Sequence, residues 1–154
     1  MKGTLTALTF ILCTPFLAAA QDAGMNGCAG NITGIYYVSH AGENSKVRVY
    51  QDTDGTFTAR TIWVENRLDK NGNVRLDEKN PDKALRSTPC DSITVIEGLK
   101  YNPDKKRWDS GKIYDPTRGL RANVTCSFDS DTSLKVRGTL MGFGETIFWK
   151  KIGE

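Results

Sequence analysis

The fold is decided by Arg107-Trp108-Asp109-Ser110-Gly111-Lys112-Ile113-Tyr114-Asp115-Pro116-Thr117-Arg118-Gly119, which leads directly into Leu120-Arg121-Ala122-Asn123-Val124-Thr125-Cys126-Ser127-Phe128. In the second half, small or apolar residues alternate with polar ones, and this period of two places the apolar side chains on one face of a strand. Between the two halves, Asp115-Pro116 and Gly119 are typical of a turn. The stretch therefore predicts a strand, a turn and a second strand.

The same alternation continues through nearly all of the chain after residue 30. It predicts eight strands, at residues 32–38, 46–51, 56–64, 92–99, 107–114, 120–128, 133–140 and 145–152. Eight short antiparallel strands leave two unpaired edges unless the sheet closes on itself, and closure is the usual solution at this strand number. We therefore predict one all-β domain over residues 31–154, an eight-stranded antiparallel up-and-down barrel.

The longest connection, residues 65–89, is polar and includes the tight-turn pair Asn71-Gly72 between apolar residues that could form a small hairpin. Its second half predicts one short helix. Asn80 can cap that helix, Pro81 suits its first position, and Pro89 prevents its continuation, so we expect it to end near Leu85.

Residues 1–20 have the pattern of a secretory signal peptide. Lys2 precedes an apolar run that ends in Ala18-Ala19-Ala20, which predicts cleavage before Gln21. A membrane anchor would need about twenty uninterrupted apolar residues, and Pro15 interrupts this run. We therefore predict an exported protein, periplasmic or secreted, in which residues 21–30 form a flexible segment before the barrel.

Three cysteines follow the leader: Cys28, Cys90 and Cys126. In an up-and-down barrel, the start of the first strand and the end of the sixth lie at the same rim, whereas Cys90 introduces the fourth strand at the opposite rim. An oxidising compartment allows one pair to close. The predicted disulfide is Cys28 to Cys126, with Cys90 as a free thiol.

The balance of basic and acidic residues does not indicate a positively charged surface that would bind a polyanion. Twenty-one Lys and Arg face eighteen Asp and Glu, a formal net charge of +3. Such a mixture indicates neither nucleic acid nor an anionic membrane surface as a partner. No protein partner is indicated either.

Several motifs along the chain resemble a bacterial exported family known as domain of unknown function 2147. The resemblance covers roughly residues 30–152 and is carried by Asn80-Pro81-Asp82 with Arg86, Trp108 with Gly111, Ile113-Tyr114-Asp115-Pro116 with Gly119, Leu134-Lys135-Val136-Arg137-Gly138, and Gly144 to Trp149. It implies a fold similar to lipocalins and fatty-acid-binding proteins. It implies no activity and no catalytic residues.

The chain also departs from that family's usual pattern. The family usually has Trp at the position of Tyr36, Gly at Ser92, Tyr at Ala122 and Arg at Glu145. If these positions line a pocket, the ligand of this chain differs from the ligands of its relatives.

No pattern of catalytic or metal-binding residues stands out. Residues 69–80 have the odd-numbered spacing of a calcium loop, but Gly72 is misplaced and Asn80 stands where a bidentate Glu belongs. His40 is the single histidine, and its neighbours Ser39 and Glu43 match no hydrolase signature. We therefore predict no enzyme, no metal and no cofactor.

The aromatic residues are the remaining indication of function. A barrel needs large side chains in its core, but eight strands also leave room for one small apolar ligand or lipid. The parity of the strands predicts six ligand-lining residues: Tyr36, Phe57, Trp63, Trp108, Tyr114 and Trp149. Two functions follow: a carrier or sensor of a small hydrophobic ligand, or a filled barrel that acts through its surface as an interaction or structural module of the cell envelope.

Overall fold

Eight strands form a closed barrel in the computed structural model, which describes residues 24–154. Each strand pairs antiparallel with the next, and β1 pairs with β8, so the predicted up-and-down barrel is confirmed. The predicted signal peptide lies outside the described residues. The strands are β1 Gly34–His40, β2 Glu43–Gln51, β3 Phe57–Val64, β4 Thr94–Asn102, β5 Arg107–Asp115, β6 Leu120–Ser130, β7 Ser133–Leu140 and β8 Phe143–Gly153.

Alternate residues of the strands fill the barrel, as their period of two requires. On β6, Val124 and Cys126 are buried, and Cys126 lies opposite Trp108 of β5 and Val136 of β7. Trp108 packs edge-on against Phe128, with their ring centres 5.9 Å apart. This half of the barrel is solid.

One end of the barrel is closed by residues 24–32, which we call the N-terminal cap. They form two 3-10 turns, Gly24–Gly27 and Ala29–Ile32. The Trp108 indole donates to the carbonyl of Ala29 at 3.1 Å, and the buried Tyr36 hydroxyl donates to that of Ile32 at 2.8 Å. Residues 24–30, part of the segment predicted to be flexible, lie in these turns, and the cap supplies the carbonyl groups that the buried aromatic donors need.

The connection between β3 and β4, residues 65–93, lies against the barrel wall at the other end, and we call it the strap. Isolated bridges pair Leu68 with Val74 and Leu76 with Pro89, so the predicted small hairpin is present. The predicted helix is reduced to one 3-10 turn, Lys83–Leu85, and its cap is Asp82. Asn80 lies just before this turn and is buried: its NH2 group donates to Asp77 at 2.7 Å, and its side-chain oxygen accepts from the backbone N–H of Asp82 at 2.9 Å.

Two contacts anchor the strap to β5 and to the turn that follows it. The Tyr114 hydroxyl donates to the buried carboxylate of Asp77 at 2.6 Å. Lys79 donates to the Thr117 carbonyl at 2.6 Å, and its own carbonyl would lie 2.4 Å from a Cβ at Gly119, where φ is +69°. Only glycine satisfies both that backbone conformation and that close approach.

The three cysteine thiols within residues 24–154 are free in the structure, which therefore does not contain the predicted Cys28 to Cys126 disulfide. The physical reason is the face of the strand: Cys126 shares the alternation of Val124 and Phe128 and is buried in the core, whereas Cys28 is exposed on the cap. Lying at the same end of a barrel is not sufficient when one side chain points inward. Burial also raises the pKa of the Cys126 thiol far above its usual range.

Thiol labelling tests this arrangement. A water-soluble disulfide reagent is expected to modify Cys28 rapidly in the native protein and Cys126 only after unfolding, because a buried thiol with a raised pKa supplies little thiolate. The Cys28→Ser variant should lose the fast phase. A non-reducing peptide map that joins Cys28 to Cys126 would contradict the structure.

Replacing Gly119 tests the anchor of the strap. Gly119→Ala and the control Gly55→Ala both force alanine into a left-handed conformation, which costs about 1–2 kcal/mol. A Cβ at Gly55 meets nothing within 4 Å, whereas one at Gly119 meets the Lys79 carbonyl. Denaturant unfolding should therefore show an additional loss of roughly 1–3 kcal/mol for Gly119→Ala. Equal losses would show that the contact does not matter.

Candidate functional site

A cavity of about 550 Å³ occupies the end of the barrel opposite the N-terminal cap, and we call it the main cavity. Strands β5 to β8 and the turns between them form its wall. The deeper wall is apolar because alternate residues of these strands face inward. Its lining residues are Ile113, Ala122, Val136, Gly138 and Ile147, with Leu120, Leu140, Met141, Phe143 and Gly144 around the mouth.

The main cavity exists because two adjacent wall positions carry small residues. Ala122 and Gly138 follow Val124 and Val136 toward the mouth, on neighbouring strands. A Cβ at Gly138 would already lie 3.4 Å from the Ile113 side chain and 3.8 Å from the Ala122 Cβ. Large side chains at these two positions would fill the space that a ligand needs.

A smaller cavity of about 190 Å³ lies beside the first, where the strap meets inward-facing residues of the barrel, and we call it the side cavity. Buried residues from the barrel, including Val38, Val47 and Trp149, line it together with Asp77 of the strap. The two cavities share their dividing residues, which are His40, Ile113, Asp115 and Ile147. They are therefore neighbouring compartments of one open end.

Four polar side chains meet at the mouth of the main cavity: His40, Asp115, Arg118 and Glu145, which we call the rim cluster. Arg118 forms an ion pair with Asp115, with Nε 3.1 Å from the carboxylate, and donates through Nη2 to Glu145 at 2.8 Å. The His40 ring lies between the same carboxylates, with Nε2 3.6 Å from Asp115 and Nδ1 3.8 Å from Glu145. The turns after β1, β5 and β7 all return at this end, which brings these distant residues together.

The local contacts of Asp115 favour its charged form. Burial acts to raise its pKa, but hydrogen bonds from the hydroxyl and the backbone N–H of Thr117, with the charges of Arg118 and His40, lower the pKa overall. The hydroxyl bond is 2.6 Å and the N–H bond 2.9 Å. The rim cluster is therefore held in place by charge as well as by the turn geometry.

Of the six aromatic residues predicted to line a ligand site, only two reach a cavity. Trp149 and Tyr114 line the side cavity, and the buried Trp149 indole N–H has no hydrogen-bond partner within residues 24–154. Tyr36, Phe57 and Trp108 are at most 1% exposed and fill the closed half of the barrel. They are core residues.

Trp63 does not line either cavity. It is 40% exposed, and the ammonium group of Lys46 lies 5.3 Å from the centre of its ring. A bulge explains the wrong prediction: Thr61 pairs with Val47 but Trp63 pairs with Lys46, so the parity of β3 reverses between them. A second register shift, between Trp108 and Gly111, turns Tyr114 to the outer face beneath the strap.

Sequence reasoning missed the rim cluster because its members lie in or beside turns and are spread from residue 40 to residue 145. His40 matches no hydrolase signature with Ser39 and Glu43, and its partners Asp115 and Glu145 are distant in the sequence. Two departures from the family pattern do fall in the site, since Ala122 and Glu145 both line the main cavity. Tyr36 lies in the core.

Within residues 24–154, no three His, Cys, Asp or Glu side chains are grouped so that they could hold a metal ion. In the same part of the chain, no helix has the length and apolar character needed to cross a membrane.

A closed eight-stranded barrel with a cavity at one open end is the architecture of the lipocalin class. A solved structure of protein HP1028 from Helicobacter pylori, described as belonging to the lipocalin family, is similar with a TM-score of 0.62 and 24% identity, over 78% of this chain and 82% of that chain. The profile of the family described as "Uncharacterized protein conserved in bacteria (DUF2147)" matches residues 34–151, and this chain belongs to that family. The curated proteins contain no match.

The lowered pKa of Asp115 predicts a contribution to acid stability. Its carboxylate stabilises the fold above the unfolded-state pKa of about 4, and this contribution is lost as the pH falls through the lower folded-state value. Asp115→Asn should therefore have a flatter loss of stability on acidification than the parent protein, measured by denaturant unfolding at a series of pH values. Asp131→Asn, in the exposed turn at the opposite end, is the control and should leave the profile unchanged.

Proposed function

We propose that this protein is an exported, non-enzymatic binding protein that carries or senses a small hydrophobic ligand, in the periplasm or outside the cell. The observation that carries the proposal is the main cavity, an apolar space of about 550 Å³ that is open at one end of a barrel whose other end is solid. Ligand sites in proteins usually have volumes of about 300–1,000 Å³ and mainly apolar walls.

The fold supports binding because the barrel supplies the site without a change of shape. Each buried square ångström of apolar ligand surface contributes about 25 cal/mol, and a cavity formed by strand side chains is in place before the ligand arrives. The lipocalin-like neighbour supports the fold alone. The nature of the ligand rests on the wall of this cavity.

We propose binding rather than catalysis from the state of the reactive groups near the site. The carboxylates of the rim cluster pair with Arg118, and the polar partners of His40 within residues 24–154 are Asp115, Glu145 and Arg118. Cys126, the most buried thiol, lies in the core and has a raised pKa. The sequence of residues 1–20 supports export.

A second candidate function has one observation in its favour. Met141 and Phe143, at the turn between β7 and β8, are 89% and 84% exposed. Large exposed apolar side chains of this kind are typical of interaction surfaces. In this alternative, the protein acts as a module of the cell envelope that binds another protein through the mouth of the barrel.

A probe-binding experiment tests the proposed function. The protein without residues 1–20 should bind a neutral fluorescent naphthylamine, with an increase in probe emission. Ala122→Trp should abolish this signal, because an indole at that position occupies the main cavity. The matched control is Thr125→Trp on the outer face of the same strand, which should bind the probe like the parent protein.

Two outcomes separate the candidate functions. If Ala122→Trp unfolds no earlier than Thr125→Trp and loses the probe, the cavity is the binding site. Probe binding that survives in Ala122→Trp but disappears when Met141 and Phe143 are replaced by serine would instead favour the surface module. No binding by the folded parent protein would refute the proposed function.

A further inference from the structure

We infer that the ligand is an amphiphile with a positively charged head: its apolar tail occupies the main cavity, and its head binds the carboxylates of the rim cluster. This inference rests on the proposed function and names the chemical class of its ligand. It is carried by the charges at the mouth, by the bonds that Arg118 already makes, and by the place of the rim cluster between an apolar wall and solvent.

The rim cluster has an excess of negative charge. Asp115 and Glu145 contribute two carboxylates, and Arg118 is the one permanent cation that contacts them within residues 24–154. With His40 neutral, the rim cluster carries one net negative charge, and protonation of His40 brings it only to neutrality. In neither state does the mouth have a surplus of positive charge for an anionic head.

Arg118 already pairs with both carboxylates of the rim cluster. Its Nη2 donates to both oxygens of Glu145, at 3.1 and 2.8 Å, and its Nε lies 3.1 Å from a carboxylate oxygen of Asp115. A ligand carboxylate that approached this guanidinium would lie beside two like charges. Such an approach gains little, because repulsion from Asp115 and Glu145 offsets the attraction to Arg118.

The carboxylates themselves retain the capacity to accept from a cation. Each carboxylate oxygen has two lone-pair positions, and the Glu145 side chain is 52% exposed. An ammonium head has three donors and fits between such oxygens as a compact charge. The neighbouring side cavity strengthens the preference, because its cation Arg75 is paired with Glu43 at 3.2 Å while Asp77 adds a further carboxylate.

The position of the rim cluster decides how a ligand would be oriented. Glu145 stands directly across from Gly138 in the pairing of β7 with β8, two positions nearer the mouth than the apolar pair of Val136 and Ile147. Because side chains alternate between faces, this apolar pair is the next one on the inner face. A ligand tail that enters the mouth therefore passes directly from charged to apolar surroundings. An amphiphile with its head at Glu145 satisfies both regions at once.

Competition among three amphiphiles with the same tail tests the inference. Dodecylammonium, dodecanol and dodecanoate each displace the neutral naphthylamine probe from the folded protein near neutral pH, below the concentrations at which they form micelles. The expected order of affinity is ammonium, then alcohol, then carboxylate. Removing one rim charge in Glu145→Gln should weaken dodecylammonium by roughly two- to fivefold and leave dodecanol unchanged, and added salt should reduce the preference for ammonium.

The matched control is Glu97→Gln, since Glu97 also bonds an arginine, Arg121 at 2.9 Å, but lies on the outer surface of β4. This variant should keep the parent order and affinities. If dodecanol displaces the probe but dodecanoate binds more tightly than dodecylammonium, the inference is wrong and the proposed function stands. If the parent protein does not bind the probe at all, the proposed function has failed, and the inference fails with it.

Discussion

The pairing of β1 with β8 is the constraint on which the rest of the structure depends. Tyr36 and Tyr37 pair with Lys151 and Lys150, and this short ladder converts an open sheet with two edges into a closed barrel. The backbones of β1 and β8 lie close together at one end of this ladder, where a Cβ at Gly34 would lie 2.5 Å from the carbonyl oxygen of Gly153. Closure separates an interior from the solvent. The core fills one half of that interior, the cavity occupies the other half, and the cap covers one end.

The two ends of the barrel differ because residues of different size occupy them. At one end, large aromatic residues fill the interior, and the N-terminal cap accepts hydrogen bonds from Tyr36, Tyr101 and Trp108. At the other end, Ala122 and Gly138 leave space, and the charged residues of the turns surround it. The solid half provides stability, which allows the open half to keep a cavity that a well-packed core would not tolerate.

The strand order could be predicted from the sequence because alternation is a local property that each strand shows by itself. It was harder to predict on which face of the sheet an individual side chain lies. Trp63 follows the bulge opposite Lys46 and Val47, and no local pattern marks that extra residue. Asn80 accepts from the backbone N–H of Asp82, as a capping residue does, but the turn that forms is a single 3-10 turn capped by Asp82 itself.

The candidate site lay beyond sequence reasoning for a different reason. His40, Arg118 and Glu145 lie in or beside three different turns, and only the return of every second turn to the same end brings them together. A prediction that selects large aromatic residues as ligand contacts identifies core residues instead, as it did for Tyr36, Phe57 and Trp108. The cavity depends on the absence of large side chains, and small residues such as Ala122 give no signal of their own.

Closure between the first and last strands also has a consequence for how the chain folds. Tyr36 meets Lys151, and Asn26 bonds the backbone of Phe128, so the contacts that complete the barrel join opposite ends of the sequence. Such contacts close long loops, which slows folding relative to structures built from local contacts. A nascent chain that lacks β8 has two exposed strand edges, and the barrel closes only after β8 is available to pair with β1.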